Sequence, residues 1–99
     1  MAEVYKLSWL QSVSSVANSQ DVNALVNGSA TVVVSDLVMT VGDVDFAFPT
    51  SASVEWWVVT HNADKSKTAE SVHNTFVATN QETLLAATDL SATWISHVA

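Results

Sequence analysis

The sequence predicts a single all-β domain, an antiparallel β-sandwich of about seven short strands in an immunoglobulin-like or jelly-roll arrangement. Three observations carry this. Apolar residues fall on one face of several segments, among them the N-terminal YKLSWL and residues 36–48, with the period of a half-buried strand. Asn27-Gly28 and Gly42-Asp43 punctuate the alternation, and both are pairs that two-residue hairpin loops favour. Strand-like segments recur at spacings of about 8–12 residues, the signature of sandwich domains.

Length and composition fit one core spanning residues 1–99. With 48% apolar residues and no cysteine, a domain of this size can bury enough surface without disulfides. Ten acidic residues face three lysines and no arginine, a net charge of −7. Phosphate backbones and anionic lipid surfaces are bound through Lys and Arg, so neither nucleic acid nor a membrane surface is an expected partner. The charged fraction is only 13%, about half the ~25% typical of soluble domains. Much of the surface is therefore small and weakly charged. The first residues, MAEVYKLSWLQSV, alternate instead of forming an apolar signal core, and no stretch approaches the roughly eighteen apolar residues of a membrane span.

Taken in order, YKLSWL is the first expected strand. DVNALV and SATVVV follow as a hairpin around Asn27-Gly28, a type I′ pair that sets Val26 opposite Ser29 and Ala24 opposite Thr31. The adjacent Val32, Val33 and Val34 suit a strand covered on both sides or lying at an interface. Gly42-Asp43 predicts a second hairpin over residues 36–48 with a type II′ turn, pairing Val41 with Val44, Met39 with Phe46 and Leu37 with Phe48. After Pro49, VEWWVVTH directs Val54, Trp56, Val58 and Thr60 to the core and Glu55, Trp57, Val59 and His61 away from it. Residues 62–70 read as a surface loop. SVHNTFVAT places Val72, Phe76 and Ala78 inward, and SATWISHV places Ala92, Trp94 and Val98 on one face. Residues 11–20 fit a strand end or a loop, and 80–90 a strand or a helical turn capped by Asn80.

Candidate chemistry is sparse. His61 and His73 flank a loop holding Asp64 and Glu70, a possible metal inventory, yet their spacing matches no known ligand set. No G-x-S-x-G elbow or phosphate-cradling glycine loop occurs. The expectation is a protein without catalytic residues, cofactor or metal. Aromatic residues offer more. Trp56 and Trp57 cannot both point inward from one strand, so Trp57, with Val59, is a candidate contact residue. Tyr5, Leu7 and Trp9 alternate along the first strand; they complete the chain's own sheet or add to a neighbour's sheet edge. A sugar-binding module using Trp57 or Trp9 as a platform, flanked by Asn62 or Glu55, is the alternative reading.

In length, in its Val, Ser, Thr and Ala content and in strand pattern, the whole chain resembles the small accessory proteins that decorate capsids or build tails of tailed bacterial viruses. No motif carries that resemblance. It implies a structural assembly protein on the outer surface of a virion, made in the host cytoplasm, whose partners are further copies of itself or a larger capsid or tail scaffold protein.

Overall fold

The computed structural model describes residues 1–80 and 92–98 and contains two antiparallel sheets packed face to face. Eight strands occur among the described residues: β1 (Ala2–Ser8), β2 (Ser19–Val26), β3 (Ser29–Val38), β4 (Asp43–Pro49), β5 (Ser53–His61), β6 (Thr68–Glu70), β7 (Asn74–Val77) and β8 (Ala92–Val98). One sheet has the order β4-β1-β8. The other runs β3-β2-β5, with β6 and β7 both pairing with the far side of β5. This is the expected all-β sandwich, with one more strand than anticipated. No described helix is long and apolar enough to cross a membrane.

Alternation puts the core where the sequence places it. Tyr5 and Leu7 of β1, Phe48 of β4, Val22 and Ala24 of β2, and Val54, Trp56 and Val58 of β5 are buried. Aromatic rings join the layers, with Phe48 5.6 Å from Phe76 and Tyr5 4.6 Å from Phe76. Residues 11–18 form a loop, and most of the stretch 80–90 lies outside the described residues.

The Asn27-Gly28 hairpin forms as expected: Val26 faces Ser29 and Ala24 faces Thr31, and both turn residues have positive φ, 52° and 83°. The Gly42-Asp43 hairpin does not form. β3 pairs with β2, while β4 pairs with β1 in the other sheet, setting Tyr5 opposite Phe46 and Leu7 opposite Val44. Residues 39–42 therefore cross between sheets. Gly28 is the only glycine with positive φ, so Gly42 lacks the backbone that a type II′ turn requires. The predicted partners Val41, Met39 and Leu37 are wrong, although Val44, Phe46 and Phe48 do face inward. Alternation specifies a strand's face and leaves its partner open.

These two glycines respond differently to substitution. A Cβ on Gly28 meets nothing within 4 Å, so Gly28→Ala costs backbone strain alone, about 1–2 kcal/mol. The atoms nearest a Cβ on Gly42 belong to the flexible Gln11 side chain, at 3.0–3.2 Å, which has to shift by a few tenths of an ångström, and Gly42→Ala costs below about 0.5 kcal/mol. Urea denaturation of both variants checks this; a larger loss at Gly42 would restore the hairpin.

Two bulges correct the remaining faces. Glu70 lies opposite Val59 and Asn74 opposite Trp56, so residues 71–73 face only residues 57–58. The extra residue reverses the alternation between β6 and β7, and Val72, expected inside, is 90% exposed. Residues 68–70, expected in the loop, pair with the end of β5. On β8, Trp94 lies opposite Tyr5 but Ser96 opposite Val4. Ile95 is the inserted residue, and His97 turns inward in place of Val98, which is half exposed.

Candidate contact surface

Two fully buried polar side chains hold the frame on which the surface rests. Glu3 receives hydrogen bonds from Thr50 Oγ1 (2.6 Å), Trp94 Nε1 (2.9 Å) and His97 Nδ1 (2.8 Å). Burial pushes its carboxyl up, but these donors and the nearby His97 outweigh that cost and bring it below the usual carboxylate value. The stabilisation is thus present above the ordinary carboxylate pKa and lost as pH falls through the lowered one. Gln20 accepts from Trp9 Nε1 (3.0 Å) and donates from Nε2 to the carbonyls of Val38 (3.0 Å) and Val41 (2.6 Å). It thereby fixes the crossing segment between the sheets.

Of the sequence-predicted contact residues, Tyr5 and Leu7 lie in the core at 3% and 0% exposure, which removes them from any surface. Their strand completes its own sheet between β4 and β8. Trp9 is half-buried, tied to Gln20 and set edge-on against Trp56. Trp57 and Val59 are half-buried on the outer face of the five-stranded sheet. Trp57 lies parallel beneath His73, with ring centroids 4.1 Å apart and planes 5° apart, so one indole face is covered by its own chain. The polar flanks of a sugar platform are engaged as well. Asn62 bonds Lys67 and Ser66 within its loop, and Glu55 bonds His73.

His61 and His73 are not brought together. His61 Nε2 lies 2.7 Å from Asp21 Oδ2 at the end of β5, whereas His73 sits over Trp57, four residues or about 13 Å back along that strand. The Asp21 carboxyl is raised by burial but lowered further by the Asp36 amide, His61 and Lys65, and lies below its ordinary value. Asp36 has φ 56° and pairs with Lys65. Among the described residues no three His, Asp or Glu side chains are arranged to hold a metal ion.

β3 is an edge strand of the larger sheet. Among the described residues β3 pairs with β2 on one side and with no strand on the other. Residues 29–35, SATVVVS, carry neither charge nor proline, and Val32 and Val38 are 65% and 58% exposed. Of the two expectations for the three valines, a strand covered on both sides or one lying at an interface, the first is not met at Val32. A bulge lets Val33 and Val34 both pack towards the core while Val32 faces out. Natural edge strands are blunted by Lys, Pro, inward charges or bulges; before Asp36, β3 has the bulge at Val33 but no charge and no proline. Comparison of the chain with family models, with curated proteins and with solved structures gives no match.

Proposed function

We propose that this chain is a non-enzymatic structural module that enters an assembly through protein–protein contacts. Its partner is a further copy of itself or a larger scaffold, in the manner of the capsid-decoration and tail accessory proteins of bacterial viruses. The observation that carries this reading is the open, uncharged β3 edge, whose backbone donors and acceptors are a template for strand addition. Overall composition supports it. A net charge of −7 disfavours indiscriminate association, and residues 29–35 contribute none of that charge, so pairing there sets no like charges opposite each other.

Sedimentation equilibrium on the wild type and on Val32→Lys tests the proposal. Val32 is exposed, so the substitution changes stability by less than about 0.5 kcal/mol while placing an ammonium on the pairing edge. The expected result is concentration-dependent association, or binding to a capsid or tail protein, that Val32→Lys weakens at least tenfold. A wild type that remains monomeric and binds no such protein would overturn the reading, as would association unaffected by the lysine.

A further inference from the structure

The bulge at residues 71–73 turns His73 onto the outer face of the five-stranded sheet, where three side chains from two strands meet it. Its Nδ1 faces Glu55 Oε2 on β5, its Nε2 lies 3.2 Å from Glu70 Oε2 at the end of β6, and its ring lies flat on Trp57. A neutral imidazole has one N–H and can donate to only one carboxylate, whereas an imidazolium has two. With a carboxylate oxygen at each ring nitrogen, the geometry is that of the charged ring. A neutral ring would turn a lone pair towards one of the two anions. The indole face beneath it also favours a cation. Because the carboxylates lie at opposite ring nitrogens, the cluster is not a converging metal site.

We propose that His73 is a pH-sensitive latch: as imidazolium it ties Glu55 to Glu70 across the bulge and covers Trp57, and on losing its proton it releases Glu70, loosens residues 71–73 and uncovers the indole. The segment it holds has few other ties. Val72 is exposed, and the bulge is attached to β5 through Ser71, whose amide donates to the Val58 carbonyl (2.8 Å) and whose Oγ accepts from the Val58 amide (2.9 Å). Among the described residues, Glu55 and Glu70 are the charged groups acting on the ring. On β2 the residue opposite Trp57 is the uncharged Asn23, and β7 contributes the uncharged Thr75 beside Glu55.

The hydrogen bond to Glu55 raises the His73 pKa, partial burial opposes the rise, and Glu70 adds to it. A raised folded value means that the latch's stabilisation is fully present below the ordinary imidazole value of about 6.5 and is lost as pH climbs through the folded one. The latch stands apart from the assembly role, since either can fail alone.

Imidazole 15N and 13C NMR titrations of the wild type, Glu55→Gln and Glu70→Gln test it, with His73→Phe identifying the resonances. The expected result is an His73 ring protonated on both nitrogens below a midpoint that lies above the ordinary value and moves down in each Gln variant. Amide exchange at residues 71–73 should then rise through that midpoint faster than base catalysis alone requires, and lose this extra step in His73→Phe. A midpoint at or below the ordinary value, one unmoved by both Gln variants, or exchange that follows base catalysis alone would overturn the proposal.

Discussion

Phe48→Ala is expected to lower the free energy of unfolding by about 3–5 kcal/mol, read in urea as an earlier midpoint at an unchanged slope. Phe48 is 0% exposed. Its ring lies 5.0 Å from Phe46 on the same strand, 6.5 Å from Tyr5 on β1 and 5.6 Å from Phe76 on β7, so it joins the two sheets. Truncation removes the contacts of three rings and leaves a cavity between layers that the backbone cannot close. A domain of this size has only about 5–15 kcal/mol in total, so the variant sits near the edge of folding. Phe48→Leu keeps most of the volume and should cost about 1–2 kcal/mol. A loss below about 1 kcal/mol for the alanine variant would mean that the sheets do not meet there.

The second large effect is expected at Gln20. Gln20→Leu preserves bulk but leaves the Val38 and Val41 carbonyls and the Trp9 indole N–H without their partner. Each buried group left unsatisfied costs about 1–3 kcal/mol, partly recovered where water reaches the loop, so the expected loss is about 2–4 kcal/mol. Gln20→Glu should be at least as damaging, because it keeps the acceptor for Trp9 but offers no donor to the carbonyls and buries a charge. Denaturation followed by tryptophan fluorescence checks both. If residues 36–48 formed a hairpin instead, the Val38 and Val41 carbonyls would not depend on Gln20 and both variants would be nearly neutral.

Gln20 and Glu3 carry a signal that is legible in the sequence. Each occupies the inward phase of an alternating strand, Gln20 ahead of Val22 and Ala24, Glu3 ahead of Tyr5 and Leu7. A polar side chain at a core phase needs buried partners, and that signal was present in the sequence. Strand faces and the Asn27-Gly28 turn were legible because both are local, set by side-chain alternation and by two backbone angles. Pairing partners were not, because β4 meets β1 across more than thirty residues of chain and a short-range turn signal competes with that long-range contact. Bulges were equally hidden. Without the extra residue Ile95, Trp94 and His97, three apart, would point to opposite faces and could not both reach Glu3. The same applies to His73, whose meeting with Trp57 depends on three residues facing two.

Of the surface features, Trp57 and Val59 were legible as outward positions of β5, since two consecutive tryptophans must take opposite faces. The open edge of β3 was not. Which strand ends a sheet is a property of the whole topology, and the run of valines is compatible with a central strand as well.

Hydrogen exchange of the backbone amides at low and high protein concentration, or with a bound scaffold protein, tests the proposed contact mode most directly. New protection confined to residues 29–35, with the rest of the sandwich unchanged, is the predicted result. Protection appearing instead on β4 or β8, or none at concentrations where the protein is associated, would contradict strand addition at β3.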